Sequence, residues 1–511
     1  MRRSSQAVLA GAAALTAAAV PARADHTSVH ATVVGNLAGT DNVFASSADA
    51  TREADLFVQV RPGVLLAYET PRMVQELTAE VEALEFVRNS DQPSVNYHAG
   101  YRAKFDPTPR SSFTVLASGT TGQLSQLSTR TSPDMSGVLL TPPGKVDVRE
   151  SDASISYSYQ LTPDSRLLQS TSGRFASTND NVSLSVTSLE AGATLGVDKS
   201  WRADALGFEL GVSVLHLTRL GPVGDPTGID RLDQQLNPRA TVSWRHDLDK
   251  HWSTSLSGGV VMINPYGTDP YNPTDTSRTR QYLPVLTGTV AYADDWGRAL
   301  VTAGRAVTPN LFIAENTITD SVVASAAIPL VFAGGRRREA QYLGAMSLGF
   351  ARTQLIDDMS SGSLGSFDIV HGDVGVAWTP RPGMAYGLRY EYFRQIADSG
   401  ATALFAAYSR STIFATFAVR WPEQITVDVP RRSQSMRADR SDLSPVGEEE
   451  VVPDGADGGQ NGDKRGQGGG GNQGGNGTSG VSGNSAGTSG SAGTGTSGGV
   501  SGGVSGGGGD E

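Results

Sequence analysis

The chain of 511 residues contains no cysteine. That absence excludes disulfide frameworks, thiolate metal sites, thiol catalysis and a cysteine-linked lipid anchor. Long hydrophobic runs are missing as well: after the first 25 residues no segment approaches the 18 consecutive apolar residues that a transmembrane helix needs. Charged residues make up only 18% and hydrophobic residues 38%, both low for compact soluble domains. The formal net charge of −11 argues against a nucleic-acid partner, whose grip rests on clustered Lys and Arg. The seven histidines are scattered, and no H-E-x-x-H, G-x-S-x-G or Walker motif is present. Neither an enzyme nor a metal or cofactor site is expected.

What is present begins with MRRSSQAVLAGAAALTAAAVPARAD. Arg2 and Arg3 form a positive n-region, an apolar stretch runs from about Ala7 to Val20, and Ala22-Arg23-Ala24 fits a cleavage site. Residues 1–24 are therefore expected to be a signal peptide that takes the chain out of the cytoplasm. A stable anchor is disfavoured because the run is short and rich in alanine.

From about residue 28 to 421 the dominant pattern is alternation with period two, the mark of a strand with one oily and one wet face. In VNYHAGYRAKFD, Val95, Tyr97, Ala99, Tyr101, Ala103 and Phe105 oppose Asn96, His98, Arg102, Lys104 and Asp106. The same split sets Leu56, Val58, Val60, Val64, Leu66 and Tyr68 against Asp55, Gln59, Arg61 and Glu69. It recurs in ASISYSYQL at 153–161, in RATVSWRHD around Arg239, Arg245 and Asp247, and in MAYGLRYEYFRQ around Arg389 and Glu391. The stretch RMVQELTAEVEALEFVR is ambiguous. As a strand it sets Glu76, Thr78, Glu80 and Glu82 against Leu77, Ala79, Val81 and Ala83; as a helix it aligns Val74, Leu77, Val81 and Leu84. Its neighbours favour the strand.

About eighteen strands are expected, and the connections between them alternate in length. ETPR (69–72), DPTP (106–109), TPDS (162–165) and DLDK (247–250) are short; 38–54, 120–149, 218–235, 264–279 and 395–408 are long. Bacterial outer-membrane barrels have even strand numbers, short periplasmic turns and longer outer loops. The expected fold is thus all-β, a transmembrane antiparallel up-and-down barrel over residues 25–421. A barrel of this size leaves a polar interior, lined by Asp55, Gln59, Arg61, Glu69, Glu76, Glu80, Glu82, His98, Arg102, Lys104, Arg239, Arg245, Asp247, Arg389 and Glu391. A conduit follows more naturally than a packed enzyme.

Tyr68, Trp201, Trp252, Trp296, Trp378 and Trp421 fall where strands should meet the membrane surface. The last strand, STIFATFAVRW, places Ile413, Ala415, Phe417, Val419 and Trp421 on one face. Ile413, Phe417, Val419 and Trp421 resemble the closure signal by which the barrel assembly machinery recognises a final strand. Pro422 then ends the ladder. Residues 422 to about 465 are polar and mixed in charge, with an EEE run at 448–450, and from there to Glu511 the chain is mostly Gly, Ser, Thr and Asn; 422–511 are expected to be a disordered periplasmic tail, either a spacer or a tether.

GTDNVFASS (39–47), followed by DLFVQVRPGVLLAYE, resembles outer-membrane β-barrel porins of the exopolysaccharide-associated kind. The matching positions are Thr40, Asp41, Asn42, Val43, Phe44, Pro62 and Gly63. The resemblance implies an outer-membrane component of a Wzx/Wzy-dependent polysaccharide export pathway, with membrane lipids and a periplasmic export protein as partners. The alternatives are a general or solute-selective diffusion porin and a surface-structural or adhesion barrel.

Overall fold

The computed structural model describes residues 27–43, 52–70, 72–89, 93–124, 146–179, 185–220, 231–266, 280–294, 296–310, 315–330, 342–356, 366–381, 383–397 and 407–421. The expected signal peptide and the expected tail lie outside the described residues. The strands are β1 (Thr27–Thr40), β2 (Asp55–Thr70), β3 (Met73–Phe86), β4 (Ser94–Thr108), β5 (Ser111–Leu124), β6 (Val146–Thr162), β7 (Ser165–Asn179), β8 (Ser185–Trp201) and β9 (Asp204–Leu220). They continue with β10 (Arg231–Asp247), β11 (Trp252–Ile263), β12 (Gln281–Asp294), β13 (Gly297–Asn310), β14 (Glu315–Leu330), β15 (Tyr342–Leu355), β16 (Ser366–Arg381), β17 (Met384–Ala397) and β18 (Tyr408–Trp421).

Each strand pairs antiparallel with its sequence neighbour, and β18 returns to β1, from Ala31 against Trp421 to Thr40 against Thr412. The sheet is therefore closed, with no edge left to recruit a foreign strand. Closure also resolves the ambiguous 73–86 segment: a helix there would break the ladder that β3 makes with β2 and β4. The main departure from expectation is length. β5 runs on to Leu124, and β10 begins at Arg231, because alternation continues past the point where its apolar members become sparse.

Turn chemistry explains the short connections. Between β10 and β11 the Asp249 Oδ1 accepts the backbone N–H of His251 at 2.6 Å and of Trp252 at 2.8 Å. These bonds, His251 first, hold the Asp249 carboxyl below the usual carboxylate range. Gly383, at φ 77°, takes the left-handed conformation that the turn into β17 requires. Within β2, Pro62 has no N–H to donate, and the β2–β3 pairing passes from Val60 against Ala83 to Gly63 against Glu80 across it.

The outward face is apolar. Leu37, Leu56, Tyr97, Ile155, Leu195, Phe208, Val242, Leu286, Met346, Leu348, Leu388 and Ile413 are among its exposed side chains. In water such a surface would be an aggregation liability; it is the surface that a barrel presents to lipid. Tyr68, Trp201, Trp252, Trp296, Trp378 and Trp421 are all exposed at the turn end. There Trp252, Tyr292 and Trp296 touch, and Tyr342, Trp378, Tyr386 and Phe417 form a second contiguous row.

Candidate functional site: the inner wall

The register assigns the inner face residue by residue. On β2, β3 and β4 it sets Gly63 against Glu80, Glu76 against Arg102, Glu80 against His98 and Glu82 against Asn96. This patch is dense and buried. Arg61 Nε lies 3.9 Å from Glu80, and Glu82, fully buried, accepts from Asn96 Nδ2 at 3.0 Å with His98 Nε2 4.0 Å away. His98 Nδ1 meets the Thr120 hydroxyl at 3.0 Å, and Asn36 Nδ2 donates to Gln59 Oε1 at 2.7 Å. Gly63 has a packing reason here: a Cβ on it would stand 2.5 Å from Glu80 Cγ.

A second charged arc runs over β6–β10. Arg174 bonds Glu150 at 2.5 Å and lies 3.5 Å from Asp152; Arg239 bonds Glu209 at 2.9 Å; Arg166 bonds Asp198 at 3.2 Å; Arg245 bonds Asp247 at 3.0 Å. On β17 and β18, Arg389 and Arg410 both reach Glu391, at 3.5 and 3.8 Å. Between these arcs, β11–β15 turn few charges inward; hydroxyls such as Ser255, Ser257, Thr289, Thr302, Thr319 and Thr353 alternate there with small and apolar residues such as Val261, Val285, Leu300 and Val323. The expected lumen set is therefore placed on the inner face but not as rings. Lys104 sits opposite Val74, Glu69 also opposite Val74 from β2, and Asp55 is spent on structure. Its carboxylate holds the backbone N–H groups of Leu56, Arg88 and Asn89 at the loop end.

Two features of the wall are absent from the sequence reading. Glu150, Asp152, Arg166, Arg174, Glu190, Asp198 and Glu209 belong to it, and on each of β6–β9 they fall on the parity opposite to the oily face, which is the signal that reveals them. The second is an apolar cluster inside the barrel at its loop end: Ala38, Val43, Phe57, Leu84, Phe86 and Phe414. Phe57 packs on Phe86 at 5.8 Å and on Phe414 at 6.0 Å between ring centroids, and the Arg389 guanidinium lies 4.8 Å over the Phe414 ring. Phe57, Leu84 and Phe86 are out of phase with the oily outer face of their own strands, which is the mark by which they stand out.

The Thr40–Val43 stretch seals this corner. Asp41 exchanges bonds with the Ser411 backbone, Asn42 Nδ2 donates to Ser409 O at 3.0 Å, and Val43 N–H donates to Glu53 O at 2.9 Å. Phe44 lies outside the described residues. Buried inward side chains are most frequent in the loop-end half, as at Gln235, Thr317, Thr353, Phe367, Gln395 and Thr412, with a smaller buried group, His30, Ala67, Val74 and Glu76, near the β2–β3 turn. Of the closure residues, Ile413, Phe417 and Trp421 are exposed on the outer face of β18, and Val419 shares that face.

Fold and wall together define a closed eighteen-stranded antiparallel barrel with a polar, ion-paired interior. No protein-family profile matches the chain, and no curated protein matches it. Among solved structures, the unliganded ferric citrate transporter FecA is similar at 10% identity over 79% of this chain and 79% of that one, with a TM-score of 0.42. OccAB3 of Acinetobacter baumannii is similar at 10% identity over 77% of this chain and 99% of that one, with a TM-score of 0.39. The alcaligin outer-membrane receptor FauA of Bordetella pertussis gives 11% identity, 79% and 76% coverage, and a TM-score of 0.37.

Proposed function

We propose that the chain is an outer-membrane channel through which small hydrophilic solutes diffuse. The observation that carries this reading is the contrast between faces: an apolar exterior bounded by aromatic residues, around an inner wall of ion pairs and hydroxyls. Barrels of 16–18 strands are wide enough to hold an aqueous channel. Fixed charges of both signs keep such a wall wet and bias what passes. The inward apolar cluster around Phe57 and the buried inner-face side chains beside it favour small solutes over a polymer.

Export of a polysaccharide is the second reading, and it rests on the Thr40–Val43 and Pro62–Gly63 stretches, which here clasp the loop-end corner and make room for Glu80. Vesicles loaded with the folded full-length protein distinguish the two. Swelling in neutral sugars of graded size, with a cut-off among small oligosaccharides and normal surface polysaccharide in a deletion strain, is the expected result. A deletion strain stripped of surface polysaccharide, with no swelling in any sugar, would replace diffusion by export.

A further inference from the structure

The loop-end half of the outer face carries one strongly charged strip, and it is confined to five consecutive strands. Register places Arg305 (β13) beside Asp320 (β14), Asp320 beside Arg352 (β15), and Arg352 beside Asp368 (β16). These positions share the face of Val322, Phe350 and Val374, all exposed, so the row points away from the lumen. Arg394 on β17, paired with Val370 and Ser409, adds a third outward arginine. At the same end of other strands the face is held by residues such as Leu37, Leu56, Val95, Leu189 and Tyr282; Glu85 and Arg149 are isolated exceptions.

Height decides what this strip meets. Arg352 stands ten positions along β15 from Tyr342 in the aromatic row, and Arg305 nine from Trp296. At about 3.3 Å per residue and a tilt near 40°, that is roughly 23–26 Å, the height of the apolar band of an outer-membrane barrel. The strip therefore lies where lipid headgroups begin. Its arginines are preorganised: Arg305 grips Asp320 with Nε at 2.6 Å and Nη2 at 2.7 Å, and Arg352 reaches Ser366 at 3.4 Å and Asp368 at 3.9 Å. Arg394 is exposed and makes no ion pair among the described residues. Arginines on alternate strands stand about 10 Å apart, and their remaining N–H groups suit phosphate oxygens.

We propose that the outer face of β13–β17 binds the headgroup of a glycolipid carrying two phosphates, through Arg305, Arg352 and Arg394. The proposal rests on the membrane-spanning reading above. Its test is retention of lipid by the folded full-length protein in detergent, counted by native mass spectrometry, with bis-phosphorylated lipid A, the same lipid after phosphate removal, and phosphatidylglycerol as probes. The expected result is about fivefold preference for the bis-phosphorylated lipid over its phosphate-free form, the worth of one uncompensated arginine at an anionic surface. Arg394→Gln, which disturbs no ion pair, should remove most of that preference, and the variant carrying Arg305→Gln, Asp320→Asn, Arg352→Gln, Asp368→Asn and Arg394→Gln all of it. Equal retention of both forms by the wild type, or an unchanged preference in both variants, would overturn the proposal. Stronger retention of phosphatidylglycerol, or a dimer lost with the five-fold variant, would reassign the strip to phospholipid or to a second copy. A protein that inserts in no vesicle and retains no lipid at all would instead fail the membrane reading.

Discussion

Replacing Leu348 by arginine tests which solvent the outer face meets. Leu348 is 62% exposed on β15, six positions from Tyr342 and four from Arg352. With the same rise and tilt it stands about 15 Å above the aromatic row, close to the middle of an apolar band of about 25 Å. An arginine at the midplane of a barrel's lipid face costs about 2–4 kcal/mol. The control is Leu116→Arg, a leucine that is 39% exposed but points inward between Arg102 and Ser154. That substitution places its charge on the polar inner face and is expected to cost under about 1 kcal/mol. The assay is urea unfolding of protein folded into phospholipid vesicles, followed by tryptophan fluorescence and by heat-modified gel mobility. A Leu348→Arg midpoint equal to or above that of wild type would refute the reasoning, since it would mean that the exterior faces water.

Three further perturbations follow from the inner wall. Phe57→Ala empties the centre of the loop-end apolar cluster and should lower stability by about 3–5 kcal/mol in the same assay, while removing bulk from the inner wall and raising conductance; wild-type values for both would mean that the corner is not packed. Asp41→Ala with Asn42→Ala removes the side-chain clasp between β1 and β18, including the 2.7 Å bond from Ser411 N–H. Faster amide exchange at Ser411, by the equivalent of about 1–3 kcal/mol, is expected there and not in β7 or β8. Arg239→Ala strips the partner from Glu209 and leaves the β8–β10 wall with surplus carboxylates. In a potassium chloride gradient the reversal potential should move toward that of potassium, and a move toward chloride would invert the assignment.

The fold is legible in the sequence because a barrel is written in local terms. Alternation gives the strand and turn residues give its ends, so β18 follows from STIFATFAVRW, and closure of the ladder then pairs it with β1. β3 is the exception that shows the limit: its Glu, Ala and Leu suit helix and strand alike, and only the ladder on either side decides. The site is legible at the level of faces and not of partners. Arg239 meets Glu209, thirty positions earlier, through the β9–β10 register, and Asp55 is consumed by a loop that no pattern announces. Arg305, Asp320, Arg352 and Asp368 each read as a lone charge in an oily strand, and become a row only when four strands are laid side by side. Phe57 and Phe414 share a cluster although they stand at opposite ends of the barrel sequence, because closure brings them together.

The most direct test is the current carried by single molecules of the folded full-length protein in a planar lipid bilayer. Discrete conductance steps, enlarged by Phe57→Ala and made more potassium-selective by Arg239→Ala, are the expected result. Protein that inserts and remains folded yet passes no current, in the wild type and in Phe57→Ala alike, would contradict the account of the interior as a solute path.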